Sequence, residues 1–275
     1  MRTQRFKGHG GLEICTTVAG NPQHPSVILL HGGGQTRHSW GTAQGALAAS
    51  RHFVIAADLR GHGESEWAAD HNYSMEAHVG DLLSIIRHLD TRPALVGASL
   101  GGLISLLAAG EQNIARALVL VDVAPKMNQV GIAKIRGFME ANPEGFDSIN
   151  QAADVVAAYL PHRPRPKDTS GLARNLRLGK DGRYRWHWDP ALQTPRPQSL
   201  EPRYEAAARQ VDIPTLLVRG ALSEIVDKES EAHFKSLLPS AETVEVRGAN
   251  HMVAGDQNDQ FNTAVIDFLL ANPHA

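Results

Sequence analysis

The feature that most constrains this chain is a serine flanked by glycines at the end of a short apolar run. Residues 95–102 read L-V-G-A-S-L-G-G. The run 93–98 predicts a buried parallel strand, and the small apolar residues that follow predict a helix. The turn between them is too tight for side chains two positions before or after its centre, which explains Gly97 and Gly101. Ser99 is therefore predicted at a strained, exposed position suited to a nucleophile, with an ordinary glycine-rich turn as the alternative.

The rest of the chain alternates apolar strands with amphipathic helices. Four strand-like runs lie in its first half, at 26–30, 52–57, 93–98 and 116–121. This alternation predicts the α/β class, with a mostly parallel central sheet flanked by helices on both faces. Residues 125–203 lack such strands, so we expect an all-helical cap inserted after the strand that ends near Val121. The strand–helix alternation then resumes, which gives a predicted core of residues 1–124 and 204–275.

The composition limits which binding partners and which cellular location we expect. The chain has 275 residues, a formal net charge of −2 and a single cysteine, Cys15. A net charge this small gives no electrostatic case for nucleic acid or an anionic membrane, and no apolar run is long enough to span a bilayer. One cysteine cannot form an internal disulfide, so a cytoplasmic location is expected. The histidines do not have the spacing of metal ligands, and neither a metal nor another cofactor is expected.

Six motifs follow one another in an order that resembles a known family. They are L-L-H-G-G-G at 29–34, D-L-R-G-H-G-E-S at 58–65, V-G-A-S-L-G-G at 96–102, V-D-V-A-P at 121–125, L-V-R-G-A-L-S-E at 217–224 and G-A-N-H-M-V at 248–253. With these motifs the sequence resembles the α/β-hydrolase superfamily, specifically its cap-bearing branch that includes serine esterases and lactonases. The epoxide hydrolase and dehalogenase branches carry aspartate where this chain has Ser99, so their alkyl-enzyme chemistry is disfavoured.

The resemblance implies a role for four residues of this chain. Ser99 would be the nucleophile. His251, in the loop before the last helix, would be the base that takes its proton, because a serine hydroxyl is a poor nucleophile without one. The backbone N–H groups of Gly33 and Leu100 would form the oxyanion hole. For His251, a plain surface histidine is the alternative.

Two carboxylates compete for the acid that would orient the histidine. The family's commoner acid lies three residues after the glycine of the motif at 217–224, and this position is Ser223 here. Glu224 follows it, one residue later and one methylene longer. Asp122 follows the strand after the serine motif and matches the aspartate that relatives with a serine at the other position use instead. We prefer Asp122, because a short side chain at a strand end is rigidly placed, and Glu224 stays open.

The cap is expected to close over the serine and to shape a substrate pocket. Four apolar side chains are expected to form its walls, namely Trp40, Trp186, Trp188 and Met252. For each of them, ordinary packing between cap and core is the alternative.

Together these inferences predict a serine hydrolase without a cofactor. It would cleave a small, mainly apolar carboxylic ester or lactone through an acyl-enzyme on Ser99. Hydrolysis of a C–C bond beside a ketone and perhydrolysis use the same catalytic groups, and both stay open. A ligand receptor built on the fold is the non-enzymatic alternative. The expected partner is a small-molecule substrate, and the expected assembly is a monomer or a homodimer.

Overall fold

In the part of the chain that the structure describes, ten strands are divided between one large sheet and one hairpin. They are β1 (Arg2–Lys7), β2 (Glu13–Ala19), β3 (Ser26–Leu30), β4 (Phe53–Ala57), β5 (Ala94–Ala98), β6 (Ala117–Val121), β7 (Leu176–Leu178), β8 (Tyr184–Trp186), β9 (Thr215–Gly220) and β10 (Glu242–Val246). The large sheet has the order β1-β2-β4-β3-β5-β6-β9-β10, and β7 pairs with β8. This computed structural model describes residues 1–161, 165, 167–194, 199–251, 253–256 and 258–273.

The central strands of the large sheet are parallel and buried on both faces. β1 and β2 pair in antiparallel fashion, as do β2 and β4, whereas every other neighbouring pair in this sheet is parallel. All five residues of β3 are buried. Because successive side chains of a strand point to opposite faces, Ile28 packs into one hydrophobic cluster and Leu29 into the other. This double burial accounts for the continuous apolar runs in the sequence.

Ten α-helices accompany the strands in the described residues. They are α1 (Ala43–Ala49), α2 (Met75–Ile86), α3 (Leu100–Gln112), α4 (Gln129–Glu140), α5 (Ile149–Tyr159), α6 (Ser170–Ala173), α7 (Glu201–Gln210), α8 (Lys228–Leu237), α9 (Val253–Asp256) and α10 (Asn258–Ala271). Helices α2, α3, α7 and α8 supply apolar side chains to one face of the sheet, and α1 and α10 supply them to the other. The predicted α/β class, with a mostly parallel sheet between helices, is confirmed.

Parallel pairing brings several loops to one edge of the sheet. β5, β6, β9 and β10 are neighbours that run in the same direction, so their carboxyl ends lie side by side. The loops after these strands carry Ser99, Asp122, Glu224 and His251. Residues that are more than 150 positions apart in sequence therefore share one edge.

The segment between β6 and α7 contains more than helices. It holds α4, α5 and α6, and also the hairpin β7–β8, so the expectation of an all-helical insertion is wrong in this part. The hairpin strands are only three residues long and lack an apolar run, and for that reason the periodicity gave no sign of them. The predicted boundary between residues 203 and 204 falls inside α7. This helix lies against α3, where a methyl group added to Gly110 would come within 2.3 Å of the Ala207 carbonyl oxygen.

Within the ranges given above, no helix has both the length and the apolar character needed to cross a bilayer.

Candidate active site

Ser99 lies at the sharp turn between β5 and α3. Its backbone has φ 47° and ψ −116°, a region that residues other than glycine rarely adopt. A methyl group added to Gly97 would come within 2.3 Å of the Gly101 carbonyl oxygen, and one added to Gly101 would come within 2.1 Å of the Leu30 carbonyl oxygen. The glycines on either side of the serine are therefore required by space, as the sequence pattern predicts.

His251 and Asp122 are in contact at the same edge of the sheet. His251 Nδ1 lies 2.8 Å from Asp122 Oδ2, and this bond leaves Nε2 as the ring nitrogen free to serve another group. The Asp122 side chain is fully buried, whereas that of His251 is 19% exposed. Asp122 directly follows β6 and has φ 49°, so its backbone is also in the left-handed region.

The Asp122 carboxylate is held by donors from the neighbouring strand end. Its Oδ1 accepts a hydrogen bond from the Gly220 N–H at 3.0 Å, and its Oδ2 accepts one from the Ser223 hydroxyl. The Ser223 oxygen in turn accepts hydrogen bonds from the N–H groups of Ile225 and Val226, each at 3.1 Å. Because donors hold both carboxylate oxygens, and the Ser223 hydroxyl is itself held by two N–H groups, the carboxylate is fixed in direction. Ser223 was not assigned this role from the sequence.

Glu224 lies on the wall of the same cavity but has a different partner. Its side chain is 55% exposed, and its Oε2 lies 2.7 Å from Lys134 Nζ on helix α4. Among the hydrogen bonds of the described residues, none joins Glu224 to His251. Of the two carboxylates that the sequence left open, the structure brings Asp122 to the histidine and directs Glu224 to a lysine.

The glycine loop at 31–34 is attached to the serine turn. The Gly101 N–H donates to the His31 carbonyl oxygen at 3.1 Å, which joins the loop to the start of α3. A methyl group added to Gly32 would lie 3.2 Å from Ser99 Cβ, closer than ordinary van der Waals contact, so glycine suits this close approach. The loop and the serine turn therefore form one connected unit.

Two backbone donors of this unit have no acceptor within the described part of the protein. The Gly32 N–H donates to Gln35 Oε1 and the Gly34 N–H to His62 Nε2, both at 3.1 Å. By contrast, no described group accepts a hydrogen bond from the N–H of Gly33 or of Leu100. These are the two N–H groups that the family resemblance assigns to an oxyanion hole. Gln35 was not singled out from the sequence, although it directly follows the three glycines.

Three buried histidines support the loops beneath the site. His31 Nε2 accepts from the Leu59 N–H at 3.0 Å, and His187 Nδ1 accepts from the Gly63 N–H at 2.7 Å. Burial lowers the pKa of His31 to about 4 and that of His62 to about 3, and it also lowers the pKa of His187 well below its usual value. All three rings are therefore neutral at pH 7 and act as hydrogen-bonding supports.

A cavity of about 700 Å³ opens above Ser99 and His251. Gly33 lies on its floor, and helices α4, α5 and α6 contribute most of its apolar wall. Trp186 and Trp188 line it as expected. Trp40 does not, because its ring is buried in the core against Phe261 at 6.0 Å between ring centroids. Met252 lies outside the described residues.

Four aromatic side chains form a continuous surface on one side of this cavity, which we call the aromatic wall: Trp188, Trp186, Phe138 and Tyr159. The two indole rings stack with centroids 5.0 Å apart, and Phe138 stacks on Tyr159 at 4.2 Å. The wall begins beside the glycine loop, where Trp188 Cζ3 would lie 3.4 Å from a methyl group on Gly34. Apolar groups of a ligand near Ser99 would therefore contact aromatic rings.

Across the described ranges, no three side chains of the histidine, cysteine, aspartate or glutamate type come together as metal ligands.

Comparison with known proteins places this arrangement in a family. The sequence profile of the family described as alpha/beta hydrolase fold matches residues 25–256. An esterase of Mycobacterium tuberculosis is 33% identical over 242 residues, which cover 85% of this chain and 78% of the relative. The 3-hydroxybutyrate-oligomer hydrolase of Cupriavidus necator is 28% identical over 250 residues, which cover 84% of each chain.

Solved structures show the same fold. The crystal structure of E-2-(acetamidomethylene)succinate hydrolase superposes with a TM-score of 0.86 at 24% identity and covers 98% of each chain. The Mycobacterium tuberculosis esterase superposes with a TM-score of 0.78 at 27% identity, covering 98% of this chain and 91% of that one. The chain therefore belongs to the α/β-hydrolase family and is an enzyme of the hydrolase class.

Proposed function

We propose that this protein is a serine hydrolase that cleaves carboxylic esters through an acyl-enzyme on Ser99. The observation that carries the proposal is the 2.8 Å contact between His251 Nδ1 and the buried Asp122 carboxylate, on the edge of the cavity that Ser99 also lines. A serine on a strained turn and a histidine oriented by a carboxylate are the parts that acyl transfer requires.

In the proposed reaction, Ser99 Oγ attacks the carbonyl carbon of the ester while His251 Nε2 takes the hydroxyl proton. Asp122 stabilises the imidazolium that forms, and its buried position strengthens this interaction. The N–H groups of Gly33 and Leu100 donate to the oxyanion of the tetrahedral intermediate. The C–O bond to the alcohol then breaks, and His251 returns the proton to the leaving oxygen. Water, activated by the same histidine, releases the acid from Ser99.

The cavity supports a mainly apolar ester or lactone as the substrate. Its walls carry the side chains of Phe138, Met139, Trp186 and Trp188, and burial of apolar substrate surface against them favours binding. The similarity to a mycobacterial esterase supports ester chemistry as well. Lactones contain the same ester group in a ring and fit the same mechanism.

Ser99→Ala tests the proposal directly. We expect hydrolysis of short 4-nitrophenyl esters to fall by about 10⁶-fold, as in other dissected serine hydrolases, with thermal unfolding near that of the wild type. The wild type should form a stoichiometric adduct with an organophosphate, mapped to Ser99 by mass spectrometry, and Ser99→Ala should not. Substantial hydrolysis by folded Ser99→Ala would contradict the proposal.

A substrate panel separates this function from its alternatives. Short esters and lactones are compared with vinylogous diketones, which contain a cleavable C–C bond, and with esters in the presence of hydrogen peroxide. Turnover of esters in water supports the proposal, whereas preference for diketones indicates C–C hydrolysis and peracid formation indicates perhydrolysis. A single slow modification without turnover would indicate a receptor.

A further inference from the structure

One cationic side chain on the cavity wall has no ion-pair partner among the described residues. Arg174 lines the cavity and is exposed, and no described carboxylate pairs with its guanidinium. The lysine of this wall, Lys134, pairs with Glu224 at 2.7 Å. The Asp168 carboxylate accepts hydrogen bonds from the Ser170 N–H and hydroxyl at 2.9 and 2.8 Å, and these neutral donors leave its negative charge in place. Arg174 is therefore the one lysine or arginine of this wall that no described carboxylate pairs with.

The backbone fixes Arg174 beside the aromatic wall. Arg174 ends helix α6, where its N–H donates to the Leu172 carbonyl oxygen. The carbonyl oxygen of the next residue, Asn175, accepts a hydrogen bond from the His187 N–H at 3.0 Å, and in sequence His187 is the residue between the two stacked tryptophans. An apolar group that packs on the aromatic wall would therefore end within reach of Arg174.

Several side chains of the cavity lining can form hydrogen bonds. Thr36, His38, Ser39 and Asn175 line the cavity that Arg174 also lines, and with Arg174 we call them the cationic rim. Partial burial, followed by the charges of Arg37 and Arg174, lowers the pKa of His38, which is consistent with the two rim side chains being close together. A guanidinium with hydroxyl and amide groups around it is a typical environment for binding a carboxylate.

We propose that the preferred substrates are esters that carry a second, free carboxylate, and that Arg174 on the cationic rim binds this carboxylate. The inference rests on the serine hydrolase function proposed above, and it adds a substrate class to it. Arg174 acts here in recognition and has no part in the acyl transfer. Its loss should therefore weaken binding of the charged substrate more than it slows the chemical steps.

The experiment compares charged and neutral esters of matched size. On the acyl side these are the 4-nitrophenyl monoester of adipic acid and 4-nitrophenyl hexanoate. On the alcohol side they are the butyrate esters of 4-hydroxybenzoate and of 4-methylphenol. Arg174→Gln should lower kcat/KM for at least one charged ester by about 10-fold, mainly through KM, because a charge-assisted hydrogen bond is lost. The neutral ester of that pair should change less than twofold.

Two further variants serve as controls. Lys180→Gln removes one positive charge from the exposed turn between β7 and β8, away from the cavity, and should leave the charged-to-neutral ratio unchanged. Arg174→Lys retains the charge and should restore part of the lost affinity. Equal effects of Arg174→Gln on both esters of each pair, or no effect on any, would overturn the inference. If the folded wild type hydrolyses none of the four esters, the proposed function itself is wrong, and the inference with it.

Discussion

The loops after β6 and β9 begin side by side, and each carries a carboxylate near the cavity, but in opposite environments. The strands pair in register, with Val121 opposite Val218. Asp122 follows its strand immediately and is fully buried, in contact with His251. Glu224 lies four residues beyond the end of β9, with more than half of its side chain exposed, and contacts Lys134.

Burial and the number of hydrogen-bond donors therefore decide which of two neighbouring carboxylates can orient a histidine. A buried carboxylate interacts strongly with a neighbouring imidazolium because little water screens the pair, whereas an exposed one is screened. Three donors point at Asp122, from Gly220, Ser223 and His251. The loop after β9 thus contributes a serine hydroxyl that supports the carboxylate of the neighbouring loop.

Asp122→Asn is expected to have the largest effect on kcat, and it tests directly whether Asp122 orients His251. If Asp122 orients His251, the amide can hold the imidazole in the wrong tautomer, and we expect kcat to fall by up to about 10⁴-fold. Steady-state kinetics on a 4-nitrophenyl ester gives kcat, and circular dichroism checks the fold. A change in kcat of less than tenfold in folded protein would show that Asp122 is not the carboxylate that orients His251.

Ser223→Ala should produce a smaller defect through the same carboxylate. The variant removes one donor to Asp122 and leaves the Ile225 and Val226 N–H groups without the hydroxyl oxygen that they contact. We expect kcat to fall by about tenfold and the free energy of unfolding to fall by about 1–3 kcal/mol. In the Asp122→Asn background, Ser223→Ala should lower kcat by a clearly smaller factor than in the wild type. A double-mutant cycle measures this difference. Additive effects would show that the hydroxyl acts independently of Asp122.

The contrast between buried and exposed polar groups also predicts a pH dependence of stability. The pKa of His187 is lowered in the folded protein, chiefly by burial, so the unfolded chain binds its proton first as the pH falls below about 6.5. His187 therefore contributes stability that is complete above this pH and is lost below it. In His187→Asn, whose amide oxygen can accept the Gly63 N–H, urea unfolding between about pH 6 and pH 5 should depend less on pH, by about 1 kcal/mol per pH unit. An unchanged slope would contradict this prediction.

Glu224→Gln should have the smallest effect. It removes an exposed ion pair with Lys134, and such pairs contribute about 0–1 kcal/mol. We expect kcat on neutral esters to change less than twofold and thermal unfolding to shift little. A severe loss of kcat in this variant, together with a mild one in Asp122→Asn, would reverse the assignment of the acid.

Most of the fold was predictable because the signals that define it are local. Continuous apolar runs indicate parallel strands, and the glycines around Ser99 indicate a strand–turn–helix corner whose geometry excludes larger residues. The hairpin β7–β8 was missed, since its strands are only three residues long and each has an arginine at its centre. The dipeptide Asp181-Gly182 between them is a typical hairpin turn and could have indicated it, and Gly182 does have a positive φ of 79°.

The candidate site was only partly predictable, because some of its features depend on contacts between distant segments. Glu224 pairs with Lys134, which lies 90 positions earlier in the chain, and no local pattern contains this information. Trp40 was expected in the pocket because it follows the glycine loop. Its ring instead packs against Phe261 of α10, on the buried side of that loop. Sequence proximity to a site thus does not tell which way a side chain points.

The positive φ angles of Ser99 and Asp122 lower the stability of the fold at two residues that we assign to the reaction. Each residue occupies a backbone conformation that costs about 1–3 kcal/mol for a side chain and nearly nothing for glycine. Replacing either by glycine would relax the backbone and remove a group that we assign to the reaction. Glycine at position 122 would also leave the Gly220 N–H and the Ser223 hydroxyl without their acceptor, so a gain in stability is expected only at position 99. Directed evolution for heat resistance alone would therefore favour an inert protein at position 99, and any such screen has to select for turnover at the same time.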